Sequence, residues 1–213
     1  LSDTLLALED FAMAIRLNSN YTEAYFERAN YYEYTLKDYR LALEDYERVV
    51  RLDPEKDYVY SNTANCRLGL NDKEGAISEL TKSLIWSGDA IKYYMRADIY
   101  EQLGMYEEAI GDYTNVLALN PQTKNTLLER AILYSKLEEN ESAIADYLEY
   151  LRYYPGDEVA HNNLAYCYTE CGELELAEKH FKRALLKDKY HADSHIGLAI
   201  LYFTEGKTKL VVQ

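Results

Sequence analysis

Alanines recur along this chain at an almost constant spacing, which constrains its fold more than any other feature. The position numbers of successive members of one series differ by 35, 34, 33, 34 and 34. A large apolar residue follows each alanine four positions later, and positions i and i+4 share one face of an α-helix. The pairs are Ala7 and Phe11, Ala42 and Tyr46, Ala76 and Leu80, Ala109 and Tyr113, Ala143 and Tyr147, and Ala177 and Phe181. The sequence therefore predicts the same amphipathic helix in every repeat.

A second series of alanines predicts a partner helix that precedes the first one in each repeat. Four of its members precede an alanine of the first series by twelve positions, whereas Ala29 precedes Ala42 by thirteen. We therefore expect one extra residue in the turn between Ala29 and Ala42. The second series is Ala29, Ala64, Ala97, Ala131, Ala165 and Ala199. Two short helices per repeat, in a chain with only 9 Gly and 3 Pro, indicate an all-α array.

Helix-ending residues mark the boundaries of these helices. Proline cannot continue a helix, and each proline comes twelve positions after a second-helix alanine: Pro54, Pro121 and Pro155. Glycine and asparagine accept the left-handed backbone that ends a helix, and they share one register between the paired helices: Asn71, Gly104, Gly172 and Gly206. Lys37 and Glu138 occupy that register in two other repeats, where we expect the turn to differ or to be strained.

These signals divide the chain into a single array of repeats. Residues 1–18 form the second helix of a truncated repeat. Complete repeats follow at 20–54, 56–88, 90–121, 123–155 and 157–189, and residues 191–213 begin a truncated last repeat. Because neither end carries a polar capping helix, we expect a fragment of a longer protein, or ends that associate with one another.

Charge and composition limit the partners that the array is expected to bind. The formal net charge of −14 argues against nucleic acid, which requires a basic stripe, and favours a neutral or basic protein partner. No uninterrupted run of apolar residues approaches the length of a membrane span, so we expect no direct membrane insertion. Three cysteines are too few for a disulfide framework, which favours a reducing compartment such as the cytoplasm.

No constellation of residues predicts catalysis, a cofactor or a metal. The histidines in the last third, together with Cys167 and Cys171, raise the possibility of a metal site. Cys66 and Cys167, however, occupy a register that is otherwise apolar, and we interpret both as small core residues. The carboxylates cluster at turns and helix starts, where they favour the helix dipole. The only basic run is interpreted as exposed helix surface, with contact to an acidic partner or an acidic neighbouring surface as the alternative: Lys179, Lys182, Arg183, Lys187 and Lys189.

The pattern as a whole resembles the tetratricopeptide repeat family, whose unit has the same period. The repeat at 90–121 matches that family best, at Tyr93, Arg96, Ala97, Tyr100, Gly104, Ala109, Tyr113, Val116 and Pro121. Pentatricopeptide repeats are expected to be basic, and HEAT or armadillo units are longer. The resemblance implies a right-handed α-α superhelix of about six helix-turn-helix units. It also implies that the first helix of each repeat lines a groove for peptides.

Projecting the family's groove registers onto the first helices predicts the binding residues. They mix neutral polar groups, which can pair with a peptide backbone, with exposed apolar groups that call for a partner. The predicted groove residues are Phe26, Asn30, Asn65, Tyr94, Asp98, Leu128, Ile132, Asn162, Tyr166, Ile196 and Ile200.

Two specialised grooves of the family are not predicted here. The clamp that co-chaperones use for a terminal carboxylate is matched only at Asn30 and Asn62, because Phe26 replaces its first Lys and Lys92 and Arg96 are displaced by one position. The asparagine ladder of O-linked N-acetylglucosamine transferase is interrupted along the register of Asn62.

The sequence therefore predicts a non-catalytic scaffold for protein–protein interaction. Two alternatives remain open: the docking or regulatory arm of an enzyme whose catalytic domain lies outside residues 1–213, and a spacer that assembles end to end.

Overall fold

A computed structural model describes residues 2–204, with side chains from residue 6 onward. The α-helices in this range are α1 Ser2–Leu17, α2 Thr22–Asn30, α3 Tyr39–Leu52, α4 Asp57–Gly69, α5 Lys73–Trp86, α6 Ala90–Gln102, α7 Tyr106–Leu119, α8 Asn125–Lys136, α9 Asn140–Tyr153, α10 Glu158–Glu170, α11 Leu174–Lys187 and α12 Ala192–Thr204. The segment Tyr31–Leu36 is a π-helix that continues α2. Because no strand occurs within this range, the predicted all-α class is confirmed. Leu1 and residues 205–213, which include Gly206, lie outside the described residues.

The helices form two compact modules, which divide between Ile99 and Tyr100 inside α6. We call them the N-terminal and C-terminal modules. In the N-terminal module α2 packs on α3, α3 on α4 and α4 on α5. In the C-terminal module each helix from α7 to α12 packs on the next, and α10 also contacts α8 and α12. None of the described helices is long and apolar enough to cross a membrane.

Small residues let the two helices of a repeat approach closely. Every alanine of the two series between Ala29 and Ala177 has no exposed surface. The large residue one turn after each second-helix alanine fills the space beside it, and the most deeply buried of these are Tyr46, Leu80, Tyr113, Tyr147 and Phe181. Ala199, in contrast, is exposed, and the second helix that the sequence pairs with it would lie mostly outside the described residues.

The turn inside each repeat uses one left-handed residue, whatever its type. Gly104 and Gly172 have φ values of 76° and 79°, as glycine permits. Lys37, Asn71 and Glu138 have φ values of 56°, 62° and 61° in the same place. The turns at Lys37 and Glu138 therefore keep the common shape at the cost of backbone strain, since a left-handed residue with a Cβ costs about 1–2 kcal/mol.

The extra residue between Ala29 and Ala42 does not lie in the turn, contrary to expectation. Lys37 keeps its left-handed place five positions before Ala42, as Asn71 does before Ala76. The insertion is absorbed instead by the π-helical segment Tyr31–Leu36, because a π-helix accommodates one more residue per turn than an α-helix. Glu33 consequently points into the protein and Tyr34 points outward.

Candidate functional site

The clearest concave site in the C-terminal module lies between α8, α9 and α10. It is a cleft of about 300 Å³ that contains two predicted groove residues, Ile132 and Tyr166. Its other lining residues are Ser135, Lys136, Asn140, Tyr147, Asn163, Cys167 and Glu170. The cleft forms because the first helices α8 and α10 each turn one face toward it, while α9 supplies the Tyr147 hydroxyl from beneath. We refer to the surface that carries the predicted groove residues as the groove face.

Packing and hydrogen bonds hold the cleft residues in place. The Tyr166 ring lies edge-on to Phe181, with 5.0 Å between the ring centres. The Tyr166 hydroxyl donates to the carbonyl oxygen of Asp193 at 3.0 Å, which ties α10 to the start of α12. Leu128 and Ile132 are half-buried and pack against the core of the module. These side chains are therefore preorganised, which lowers the entropy that binding would cost.

Helix α12, which is the first helix of the final repeat, extends the groove face with apolar residues. Ile196 and Ile200 are 54% and 50% exposed, and they lie one helical turn apart on the same face. Phe203 continues that face and is also exposed. Rows of exposed apolar side chains are common at the interaction surfaces of proteins.

Asn162, which was predicted to line the groove, lies in the interior. It is only 5% exposed, and its side-chain oxygen accepts a hydrogen bond from the Ser194 hydroxyl at 2.9 Å. Its amide nitrogen donates to the Asn163 side chain at 3.4 Å. Asn162 thus joins α10 to α12, and it is Asn163 that lines the cleft.

In the N-terminal module the groove face begins with an aromatic cluster on α2 and α4. The Phe26 ring makes an edge-to-face contact with Tyr58, with the ring centres 5.3 Å apart. It also lies 5.8 Å from the Tyr46 ring. Phe26 is half-buried, while Tyr58 is exposed. Phe26 therefore packs against both the exposed Tyr58 ring and the buried Tyr46 ring.

A polar network centres on the hydroxyl of Tyr46, whose ring is fully buried. The hydroxyl lies 2.6 Å from Asn30 Oδ1 and 2.7 Å from Glu33 Oε2. The Asn62 side chain donates to the hydroxyl oxygen at 3.0 Å. Burial raises the pKa of Glu33, which is 4% exposed, above its usual value, although the hydrogen bond from Tyr46 opposes this. Burial also raises the pKa of Tyr46.

A count of hydrogens shows that two contacts of this hydroxyl compete. A tyrosine hydroxyl has one hydrogen to donate and accepts through its lone pairs. Asn30 Oδ1 and the Glu33 carboxylate are both acceptors, so one Tyr46 hydrogen cannot serve both. The hydroxyl therefore donates to one of the two at a time, while its lone pair accepts from the Asn62 amide.

Three further predicted groove residues lie along the same module. Asn65 on α4 is half-buried, and Tyr94 and Asp98 on α6 are exposed. Lys92, a residue weighed for the carboxylate clamp, is buried and pairs with Asp57 instead. A lysine that is held inside the protein by a carboxylate is not available to clamp another one.

The two buried cysteines of the described residues are protonated thiols. Burial raises the pKa of Cys66 to about 12 and also raises that of Cys167, so both remain thiols at neutral pH. Cys167 Sγ lies 3.2 Å from Ser135 Oγ, whose own hydrogen bond goes to the Ala131 carbonyl. Within residues 6–204 no group of three metal-binding side chains is close enough to hold an ion.

Two buried ion pairs inside the repeats were not anticipated. Arg28 binds Asp45 through two hydrogen bonds of 2.6 and 2.7 Å, and Arg130 binds Asp146 through two of 2.7 and 2.8 Å. Each Asp raises the pKa of its arginine. The sequence carries a signal for both pairs: an Arg directly before the first-helix alanine and an Asp three positions after the second-helix alanine. Each pair thus ties a first helix, which carries predicted groove residues, to the second helix of the same repeat.

A buried histidine pair links α10 to α11 in the C-terminal module. His161 Nδ1 lies 3.0 Å from His180 Nδ1, and His161 Nε2 lies 3.1 Å from the Pro155 carbonyl oxygen. Because a carbonyl only accepts, His161 carries its hydrogen on Nε2, and His180 Nδ1 donates to His161 Nδ1. Burial lowers the pKa of His161 and lowers that of His180 to about 4. Neither ring is charged at neutral pH.

Comparison with protein families identifies the repeats. A family model described as the ETO1 C-terminal domain matches residues 2–142, which is more than half of the chain. A tetratricopeptide repeat model matches residues 128–194. No curated protein sequence matches the chain significantly.

Solved structures with the same fold are numerous. YrrB, described as a TPR protein with an unusual peptide-binding site, is similar with a TM-score of 0.75 and 18% identity, over 90% of this chain and 99% of that one. MamA is similar with a TM-score of 0.68 and 21% identity, over 90% and 97% of the two chains. A tetratricopeptide repeat protein from Parabacteroides merdae has a TM-score of 0.68 and 23% identity, over 87% and 74%. At these identities the likeness shows the fold alone.

Proposed function

Because the chain belongs to the ETO1 C-terminal domain family and is a tetratricopeptide repeat protein, we propose that it is a non-catalytic scaffold that binds a segment of another protein along the groove face. The main support is the apolar surface of the C-terminal module. Ile196 and Ile200 are half-exposed there, and α8 and α10 form a cleft whose walls include Ile132 and Tyr166. Removing such side chains from water is worth about 25 cal/mol per Å² of buried apolar area.

The scaffold binds by rigid display rather than by rearrangement. Tyr166 and Ile132 are held by the core beneath them, so a peptide side chain meets a preformed cleft. Asn163 and Ser135 line the same cleft and offer hydrogen bonds to the peptide backbone. The net charge of −14, together with Glu170 at the cleft, favours a neutral or basic segment over an acidic one.

Peptide selection from a display library against the full chain tests this proposal. The affinities of the selected peptides are then measured by fluorescence anisotropy for two double variants. Ile196→Ser with Ile200→Ser should weaken binding about tenfold or more, since two apolar anchors are lost. Ile85→Ser with Leu119→Ser changes two exposed apolar residues on second helices and should leave the affinity within about twofold.

The N-terminal module is tested separately with Tyr94→Ala. A loss of affinity here as well would mean that the peptide contacts both modules, whereas an unchanged affinity would confine the site to the C-terminal module. Selected peptides that bind the groove double variant and the parent chain equally would contradict the proposal.

A further inference from the structure

A second concave site lies in the C-terminal module at the end of α11, away from the groove face. It is a pocket of about 420 Å³ lined by Pro155, Gly156, His161, Arg183, Leu186 and Lys187. We call it the edge pocket. Pro155 and Gly156 come from the loop between α9 and α10, His161 from α10, and the other residues from α11. None of the predicted groove residues lines it.

The edge pocket carries positive charge that no carboxylate among the described residues pairs with. Arg130 and Arg152, in the same module, each bind a carboxylate at 2.7 Å. Arg183 and Lys187 take part in no ion pair or hydrogen bond with the residues that the structure describes. They lie one turn apart, on one face of α11. The helix dipole stabilises a cation in the last turn, which explains Lys187, but Arg183 lies one turn earlier.

The two carboxylates that adjoin the pocket in sequence are engaged elsewhere. Asp157 Oδ1 accepts a hydrogen bond from the Ala160 amide at 2.8 Å, and Oδ2 accepts one from the Tyr150 hydroxyl at 2.9 Å. Asp188 Oδ1 accepts a hydrogen bond from the Tyr190 amide at 3.0 Å. Each of these carboxylates thus stabilises its own loop and leaves the cations of the pocket without an ion pair.

His161 forms a fixed wall of the edge pocket. Its ring is held on one side by the Pro155 carbonyl oxygen and on the other by His180. Because the ring is neutral at neutral pH, it adds no charge of its own to the pocket. The pocket therefore has a rigid wall and a positive charge without a matching anion.

An apolar side chain lies beside the two cations on α11. Leu186 is 87% exposed, although it lines the pocket and belongs to a helix whose other face is buried. Tyr190, one turn further on, is also exposed. Single exposed leucines are common, but this one is flanked on the same helix by Arg183 and Lys187. The combination presents a positive site and an apolar site side by side.

We propose that the edge pocket binds an acidic segment of a partner protein, in which a Glu or Asp side chain pairs with Arg183 and Lys187 while a neighbouring large apolar side chain covers Leu186. The pocket chemistry is the opposite of the groove face, where a neutral or basic segment is expected. The scaffold would thus bind two segments of different charge at separate places. This proposal does not depend on groove binding.

The probe for the test is a fluorescein-labelled peptide of alternating Glu and Asp with one central Phe, titrated with the full chain at physiological salt. We expect Arg183→Glu with Lys187→Glu to weaken binding tenfold or more and Leu186→Ser to weaken it about threefold. The matched controls are Arg16→Glu with Arg40→Glu, which changes the net charge equally, and Leu17→Ser, which alters a similarly exposed leucine. Both controls should bind within about twofold of the parent chain.

Three results would overturn the proposal. One is equal loss of affinity in the Arg16 and Arg40 control, since binding would then follow net charge alone. Another is binding to vesicles of phosphatidylserine in place of the peptide, which would indicate a membrane surface. The third is a doubling of mass by light scattering that the Arg183 and Lys187 variant abolishes, because the occupant would then be a second copy of this chain. Failure of the groove variants would affect none of these measurements.

Discussion

The two modules place the same tyrosine under the groove face and surround it with different chemistry. In the N-terminal module Tyr46 bonds to Asn30, Glu33 and Asn62 in a polar network. In the C-terminal module Tyr147 lies 3.4 Å from the Ser135 hydroxyl, in a cleft whose other walls include Ile132 and Tyr166. The comparison shows that the repeat determines the position of the tyrosine hydroxyl beneath the groove face. The residue four positions after the first-helix alanine is one of the groups that the hydroxyl contacts, Glu33 in one module and Ser135 in the other.

That residue changes together with its partner from repeat to repeat. Where the second helix has Tyr113, the first helix supplies Glu101, with 3.4 Å between their oxygens. Where the second helix has Leu80, the corresponding first-helix residue is Leu68, and the two pack in one apolar cluster. A buried hydroxyl requires a hydrogen-bonding partner and a buried methyl group does not, so the two positions are coupled physically.

The largest expected effect is one that the two modules should share. Asp45→Ala and Asp146→Ala each leave a largely buried arginine without its partner, which typically costs about 3–5 kcal/mol. Chemical denaturation of the full chain should show a loss of this size for both variants. A loss below about 1 kcal/mol in either would mean that the pair does not stabilise its repeat. Asp38→Ala, an exposed helix cap, is the milder control, at about 1 kcal/mol.

The next largest effect is a pH dependence of stability that should differ between the two modules. In the folded chain the pKa values of His161 and His180 are lowered, so the unfolded chain binds more protons below its usual histidine pKa near 6.5. Stability from the pair should therefore be complete above pH 6.5 and decline as the pH falls toward 4, by about 2–3 kcal/mol. Hydrogen exchange in α10 and α11 at a series of pH values measures it.

Glu33 should act in the opposite direction in the N-terminal module. Its pKa is raised in the folded chain, so its contribution is complete below the ordinary pKa of about 4.5 and is lost as the pH rises through the raised value. Glu33→Gln keeps the hydrogen bonds and removes the titration. Exchange of the α3 amides should lose this pH dependence in the variant, while exchange in α10 should keep its own. If hydrogen exchange in α3 had the same pH profile in the parent chain and in Glu33→Gln, a raised pKa of Glu33 would be contradicted.

A smaller effect should distinguish the two tyrosines. Tyr46→Phe leaves Asn30, Glu33 and Asn62 without the hydroxyl that joins them, and we expect a loss of about 2 kcal/mol. Tyr147→Phe removes a long contact to Ser135, whose hydroxyl also bonds to the Ala131 carbonyl, and a hydrogen bond with Asn163, and should cost about 1 kcal/mol. Denaturation midpoints of the two variants provide the comparison. Equal losses would show that the network adds no stability.

The smallest effect should again be common to both modules. Lys37→Gly and Glu138→Gly relieve a left-handed backbone at the same turn position and should each raise stability by up to about 1 kcal/mol. Thermal unfolding measures the gain, and Glu44→Gly, at an exposed position within helix α3, should instead lower stability by about 1 kcal/mol. Destabilisation by both turn variants would mean that the lysine and glutamate side chains stabilise these turns in some other way.

The features that could be predicted from the sequence are those that recur in several repeats. The alanine spacing, the large residue one turn later and the left-handed turn position each recur several times, so a weak local preference becomes a strong signal. The groove register of Ile132, Tyr166, Ile196 and Ile200 was predicted from the resemblance to the tetratricopeptide repeat family, whose period this chain shares. The structure places Ile132 and Tyr166 in one cleft and leaves both isoleucines of α12 exposed.

Features that occur once depended on tertiary packing. The inserted residue near Glu33 was detectable by counting, but only the folded chain decides whether a turn or a π-helix absorbs it. Asn162 carries a groove register and is nevertheless buried, because Ser194 on the next helix supplies its partner. The spacing of residues in the sequence also does not show whether Arg183 forms an ion pair with a carboxylate. A period determines which way a side chain points from its own helix, whereas its burial and its partner depend on the neighbouring helix that covers it.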